Sequence, residues 1–316
     1  MKKYETRGRA RRGKIAAVGR LTIALLGFSP GVAACQDASD LQVELDIPFV
    51  PGGGHEQQLD LYVPAADGFP TLLFAHEGSL TSGDRKDEPY ARMCRTFASL
   101  GIGCIATSYR LAPASKWPAQ PDDVAAAFRW VKENIGSRGG APDEIFLFGH
   151  SSGCTLVSIV AADPSYLAKQ DLAPEDIAGV IAMGCRLADH IEVTSTPPPQ
   201  YEASWIPPDR VDDFPKVDER YVSLQQRNAA VPADHVSERL PPTLVVIAEE
   251  ERFFPPILRD AAEFVGRARV HDAEADLVIL PDRRHMTAIR NMVTPDDQGV
   301  VEVVNFVRSR RDRGRE

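Results

Sequence analysis

The segment Glu144-Ile145-Phe146-Leu147-Phe148-Gly149-His150-Ser151-Ser152-Gly153 joins an apolar run to a helical pattern through the spacing G-x-S-x-G. That spacing suits a serine held on a sharp strand-to-helix turn, where only small residues fit two positions before and two after it. Such a turn presents Ser151 Oγ at a helix N-terminus as a nucleophile for acyl transfer. A serine hydroxyl is weakly nucleophilic, so it needs an imidazole base, and the base needs a carboxylate to orient it. On this kind of scaffold the three follow in the order serine, acid, histidine. Among the histidines, His55 and His76 precede the serine, His150 lies inside the turn, and His235 and His271 come before apolar strands rather than after them. His285, in Leu280-Pro281-Asp282-Arg283-Arg284-His285, follows the last strand and is the candidate base, expected on a loop. The run Thr243 to Ala248 ends in Glu249-Glu250-Glu251. Glu251 is the candidate acid and Glu250 the reserve, since periodicity does not say which of them faces the histidine.

Acyl transfer also needs donors aimed at the developing oxyanion, and removing one such donor typically costs about 2.7 to 4 kcal/mol of barrier. The Ser152 amide, at the start of the helix, is one candidate. The strand Thr71 to Ala75 runs into His76-Glu77-Gly78-Ser79, where the Gly78 and Ser79 amides are the others. Gly78 is a point where backbone can approach a substrate closely.

These residues need a sheet to hold them. Leu41 to Val50 and Gln57 to Val63 alternate around Pro51-Gly52-Gly53-Gly54 and predict an opening hairpin. The triple glycine lacks the Lys-Ser/Thr of a phosphate loop. Thr71 to Ala75, Ile102 to Tyr109, Glu144 to Phe148, Gly179 to Met183, Thr243 to Ala248 and Asp276 to Leu280 are continuous apolar strands, the kind buried on both faces. Tyr90 to Leu100, Asp122 to Ile135, Ser152 to Ala162, Pro256 to Arg267 and Gly299 to Arg308 have helical spacing. The alternation predicts an α/β fold: a mostly parallel, eight-stranded sheet flanked by helices. From about 187 to 240 the rhythm breaks, with Pro197, Pro198, Pro199, Pro207, Pro208 and Pro215 among Tyr201, Trp205 and Phe214. This Pro-rich insertion is expected to act as a partial lid, with a plain surface excursion as the competing reading.

The chain of 316 residues is 43% hydrophobic and 26% charged, which predicts a soluble globular protein. Eight basic residues precede Leu21, opposed only by Glu5. Taking these from the totals of 36 basic and 45 acidic residues leaves 28 and 44, a body near −16. Such a charge repels phosphate backbones and argues against nucleic-acid binding. The basic leader, the apolar Leu21 to Phe28 and the small residues before Cys35 have the layout of an export signal over 1–35, followed by a single domain over 36–316. Val32-Ala33-Ala34-Cys35 also fits a lipoprotein cleavage box, making Cys35 a lipidation candidate and a membrane tether. The expected location is periplasmic. Cys94, Cys104, Cys154 and Cys185 lack metal-ligand spacing and are read as buried free thiols, although export would permit disulfides.

Taken with the turn, Asp60-Leu61-Tyr62-Val63-Pro64, Ser82-Gly83-Asp84, Ser108-Tyr109-Arg110-Leu111-Ala112-Pro113, Pro121-Asp122-Asp123-Val124 and Asp163-Pro164-Ser165-Tyr166-Leu167 give the chain a resemblance. It resembles the α/β-hydrolase superfamily over roughly Leu41 to Val307, in the branch of bacterial carboxylesterases of the hormone-sensitive-lipase type, feruloyl-esterase-like enzymes and arylformamidases. His76-Glu77-Gly78-Ser79 stands where that branch usually has His-Gly-Gly-Gly, and Glu251 where it usually has Asp. The resemblance implies a serine hydrolase acting on small or aromatic carboxylic esters, with no metal or organic cofactor. A small-molecule ester is the implied partner. The alternatives are an arylformamidase or amidase using the same three residues, and a non-catalytic hydrolase-like binding protein. His76, Glu77, Trp117, Tyr201 and Trp205 are candidates for the substrate pocket, with packing the competing reading for the aromatic residues.

Overall fold

A computed structural model describes residues 41–188, 220–253 and 255–313. Eight strands form one sheet: β1 (Leu41–Pro48), β2 (Gln58–Pro64), β3 (Phe69–Ala75), β4 (Gly103–Thr107), β5 (Gly140–His150), β6 (Gly179–Met183), β7 (Thr243–Ala248) and β8 (Ala275–Leu280), in the order β1-β2-β4-β3-β5-β6-β7-β8. β1 pairs with β2 and β2 with β4 antiparallel, and every other neighbouring pair is parallel. β3, β4, β6 and β7 are buried at every position, as their unbroken apolar runs require when helices cover both faces.

The covering helices are α1 (Glu88–Ser99), α2 (Ala119–Asn134), α3 (Ser152–Ala162), α4 (Pro164–Ala168), α5 (Leu224–Ala229), α6 (Pro255–Val270), α7 (His285–Arg290) and α8 (Gln298–Arg313). Met93, Cys94 and Phe97 of α1 and Val300, Val303 and Val307 of α8 pack with Phe74, Phe146 and Phe148 on one face of the sheet. Val124, Phe128 and Val131 of α2 and Leu156, Val157 and Val160 of α3 pack with Leu73, Ile105 and Leu147 on the other. Burying each such side chain is worth about 1.5–3 kcal/mol, so the middle of the sheet is the stiffest part from which to hang a site. α4, α5 and α7 are too short to display a helical period, and the sequence pattern does not announce them.

Two expectations need correction. The sequence puts His285 on a loop, whereas it is the first residue of α7, because Thr287 Oγ1 turns back to accept the Arg284 amide at 2.8 Å and caps a helical turn. The four cysteines read as free thiols, whereas they form the disulfides Cys94–Cys104 and Cys154–Cys185. The buried face of α1 lies on β4, and α3 lies beside the end of β6, so each pair of thiols meets in the core.

Of the expected insertion, 220–240 is built into the core. Val231, Ala233, Val236 and Leu240 pack with Leu187 and Ala188, and the Ala233 amide donates to Leu187 O at 2.9 Å. Tyr201, Trp205, Phe214 and the prolines of the expected lid lie outside the described residues, as do the leader and Cys35. Among the described residues no helix is long and apolar enough to cross a membrane, and no cluster of His, Cys, Asp and Glu has metal-holding geometry. The disulfides give a direct test. Protein purified under oxidising conditions, then unfolded without reductant, is expected to take up alkylating reagent at no cysteine other than Cys35. Two or four further adducts by mass would contradict the pairing.

Candidate active site

β5 runs through the centre of the sheet and turns into α3 at Ser151, whose φ of +53° and ψ of −121° lie outside ordinary strand and helix conformations. Such a conformation costs of order 1–3 kcal/mol and persists only where the surroundings enforce it. Here they do. A Cβ on Gly149 would lie 2.2 Å from Gly153 O, and one on Gly153 would lie 2.1 Å from Ala75 O and 2.5 Å from His76 O. Glycine at both places therefore lets the turn press against the end of β3, and the Ser151 amide donates to Met183 O at 2.9 Å on the other side. The Ser152 amide opens α3, where the first turn has no intrahelical acceptors.

The same close contact fixes the segment after β3. Gly78 has φ +118°, and a Cβ there would lie 2.0 Å from Ser82 O. Ser79 follows at φ +55°. Gly78 O accepts the Thr81 and Ser82 amides, so the peptide units fold into a tight turn. The Gly78 and Ser79 amides donate no main-chain hydrogen bond among the described residues. Donors in a glycine turn beside a helix N-terminus can stabilise an oxyanion.

The acid and the base come from the next two strands. Glu251 sits in the short turn Glu249–Phe253 after β7, and His285 begins α7 after β8. His285 Nδ1 lies 2.5 Å from Glu251 Oε1, with Glu251 only 2% exposed. Glu251 Oε2 accepts the Ala248 amide at 2.6 Å, which locks the carboxylate. Glu250 does something else. Its side chain pairs with Arg284 at 2.9 Å, and its amide donates to Arg283 O at 3.1 Å. Glu249 accepts the Asp282 amide at 2.9 Å. Three consecutive glutamates thus grip the 282–285 segment, and Glu251 is the one that reaches the imidazole.

Serine and histidine segments share one edge of the sheet. His150 Nε2 lies 3.0 Å from His285 O, and the two rings are 4.7 Å apart between centroids. Gly184, just after β6 with φ +66°, is so close to the pair that a Cβ would lie 3.0 Å from Glu251 Oε1 and 3.3 Å from His285 Nδ1.

The pocket candidates separate. His76 is fully buried and stacked on Tyr109 at 4.3 Å, with Nδ1 2.6 Å from Glu77 O; burial pushes its pKa below the usual histidine value. Glu77 faces His150 Nδ1 at 3.3 Å and is hydrogen-bonded by Tyr90. Burial works to raise its pKa, but the His150 and Tyr90 contacts prevail and hold it at about 2. Trp117 is buried against Tyr166 and Tyr221, and its carbonyl accepts from Gln226 Nε2 at 3.0 Å, tying down the described end of the insertion. Tyr201 and Trp205 lie outside the described residues. Sequence reasoning does not single out His150. The signal is there: an acidic residue in the glycine loop and a titratable one before the serine.

The distant motifs prove to be braces. Asp123 takes a two-pronged contact from Arg110 at 2.8 Å per prong, plus Gln57 Nε2 at 2.8 Å. Arg85, 1% exposed, donates to Asp60 at 3.0 Å, to His55 O at 2.9 Å and to Asp46, and its amide donates to Ser108 Oγ. It pins the 76–87 segment to β2 and the end of β4.

Residues 72–289, more than two thirds of the chain, match the family described as alpha/beta hydrolase fold. The chain belongs to the alpha/beta hydrolase fold family. Esterase LipQ of Mycobacterium tuberculosis is 35% identical over 120 residues, 37% of this chain and 28% of that protein. The gibberellin receptor GID1 of Oryza sativa subsp. japonica is 36% identical over 106 residues, 32% of this chain and 30% of that one. The matches therefore span less than a third of either relative. Esterase B of Lactobacillus rhamnosis superposes with a TM-score of 0.69 at 19% identity, covering 87% of this chain and 89% of that chain, a likeness of fold. The sequence-derived family and fold thus hold for this alpha/beta hydrolase.

Arg85→Met tests the brace. Removing the guanidinium leaves Asp60 charged and buried, so unfolding by urea is expected at a stability lower by about 3–5 kcal/mol, the usual cost of breaking a buried pair from one side. An unchanged midpoint would contradict the bracing role.

Proposed function

We propose that this alpha/beta hydrolase is a serine carboxylesterase that cleaves small or aromatic esters through an acyl-enzyme. The observation that carries the reading is the 2.5 Å contact between buried Glu251 and His285 at the edge where the Ser151 turn emerges. Glu251 accepts the Nδ1 proton and leaves Nε2 as the basic nitrogen. In the first half-reaction His285 takes the Ser151 Oγ proton as Oγ attacks the ester carbonyl. The carbonyl oxygen becomes an oxyanion facing the Ser152, Gly78 and Ser79 amides. Collapse breaks the bond to the alcohol, which leaves with the proton returned by His285. Water repeats the sequence on the acyl-serine and releases the acid. Each oxyanion donor contributes on the order of 3 kcal/mol in such sites. No step calls for a metal or an organic cofactor. A tether through Cys35, an exported periplasmic location and a partial lid formed by the insertion complete the reading.

The similarity to esterase LipQ supports ester hydrolysis. The similarity to a gibberellin receptor favours a second reading, a non-catalytic binding protein on the same scaffold. A third, the arylformamidase, uses the same residues on a formyl amide.

A fluorophosphonate probe is expected to label the wild type and not Ser151→Ala, and Ser151→Ala is expected to lose hydrolysis of p-nitrophenyl acetate by at least about 10³-fold, in line with loss of a nucleophile. A folded wild type that takes no label sinks the hydrolase reading in favour of the binder. Faster turnover of N-formylkynurenine than of p-nitrophenyl acetate would replace the ester by the formamide. For the tether, wild type is expected in the detergent-dependent membrane fraction and Cys35→Ala in the soluble one; equal solubility of both argues against lipidation.

A further inference from the structure

We propose that Glu77 and His150 form a carboxylate–imidazolium pair whose second imidazolium N–H, donated to His285 O, positions the base beside the Ser151 turn. The inference rests on the hydrolase reading and deepens it.

The hydrogen-bond partners locate the protons. A histidine nitrogen facing a carbonyl oxygen must carry a proton, because a carbonyl only accepts. His150 Nε2, 3.0 Å from His285 O, is therefore N–H. A neutral ring protonated there has a bare lone pair on Nδ1, and Nδ1 faces Glu77 Oε2 at 3.3 Å. Two acceptors meeting in a site with His150 fully buried would repel. A proton on Nδ1 resolves the conflict, giving an imidazolium that donates to both oxygens. Burial, with the neighbouring His285 acting the same way, holds the His150 pKa below the usual histidine value, and the Glu77 carboxylate works against them; the two oxygens facing the ring are what call for the second proton. Glu77 in turn has Tyr90 as a second donor, so its charge is held by two partners.

Placement gives the pair its role. His150 immediately precedes Ser151, and the acceptor of its Nε2–H is the backbone of His285 itself. One side chain thus ties the nucleophile turn directly to the residue that must take the nucleophile's proton. The titratable groups around this pair are Glu77 beside His150, then His285, then Glu251 beyond it, with Tyr90, Tyr109 and His76 packed on the Glu77 side. The pair has no net charge, so it holds His285 without adding a field that would shift proton transfer. His150 and Glu77 act through His285 and are positioning residues.

The test compares the acid limb of the kcat/KM profile for ester hydrolysis in wild type, Glu77→Gln, His150→Gln and the double variant, each first checked for folding by circular dichroism. In Glu77→Gln the anion and its proton leave together, and the introduced side-chain amide donates to a neutral His150. The acid limb is expected to stay within about 0.3 pH units, with KM unchanged and kcat lowered less than tenfold. In His150→Gln the Glu77 anion stays uncompensated near His285, and the limb is expected to move up by about one pH unit, the scale of a nearby opposite charge. The double variant is expected to return the limb to the wild-type position. A limb that falls by about one unit in Glu77→Gln would mean that Glu77 faced a neutral His150, and it overturns the inference. No shift in His150→Gln overturns it as well. Should His150→Gln fail to fold, Glu77→Gln alone decides between the two. The same displacements are read from the His285 ring by NMR titration. That readout separates the pair's failure from failure of the hydrolase reading, which shows instead as absent turnover and absent fluorophosphonate labelling in wild type.

Discussion

The close packing of Gly153 against the end of β3 is the constraint on which the site depends. With a hypothetical Cβ only 2.1 Å from Ala75 O, no side chain fits between the Ser151 turn and the peptide where the 76–79 segment begins. The serine turn and the turn bearing the oxyanion-donor candidates are thereby fixed against each other through main-chain atoms. Ladder pairing of Ala75 with Gly149 on adjacent parallel strands extends the same registration back into the core. Main-chain positions of this kind move less than side chains do, which is what stabilisation of a developing charge demands. The positive φ of Ser151 is the local cost, and the buried middle of the sheet is what enforces it.

Around that fixed point the protein uses carboxylates as fasteners. Glu249 holds the Asp282 amide, Glu250 pairs with Arg284, and Glu251 meets His285, so one turn after β7 determines the path of the chain after β8. Only the last of the three is buried. The first two are more exposed and contribute little stability, since surface pairs are typically worth about 0–1 kcal/mol. Their effect is directional: they restrict where the segment can lie. Arg85 and Asp123 do similar work in a drier setting, where leaving buried Arg85, Asp60 or Asp123 without its partner would be costly.

The sheet is legible in the sequence because its strands are buried on both faces and read as unbroken apolar runs; every predicted strand overlaps an observed one. The long helices are legible from their period, whereas α4, α5 and α7 span five or six residues, too few to show one. The Ser151 turn is legible because its sterics demand glycine at set positions. The disulfides are not, since an apolar cysteine in a strand looks the same whether its partner is a thiol on the facing helix or none, and only packing reveals the meeting. Which of Glu250 and Glu251 meets His285 likewise depends on the path of a short turn, which periodicity does not encode. His150 escapes notice because its neighbours across the sheet, Glu77 and His285, lie 73 and 135 residues away.

Glu77 brings a negative charge into a loop whose amides should welcome one. A lone carboxylate there would compete for those donors with the oxyanion of the proposed reaction. Its geometry avoids this, because the carboxylate turns toward His150 and Tyr90 instead of toward the Gly78 turn. Burial strengthens that pairing as it would strengthen any repulsion, since the same low dielectric acts on both. Glu77 and His150 therefore make physical sense together and little sense apart: a glutamate without the histidine would leave a buried anion one donor short, and a histidine without the glutamate would leave a buried nitrogen unmatched. Glu77 in the glycine loop and His150 before the serine look independent in the sequence and are one feature in the fold.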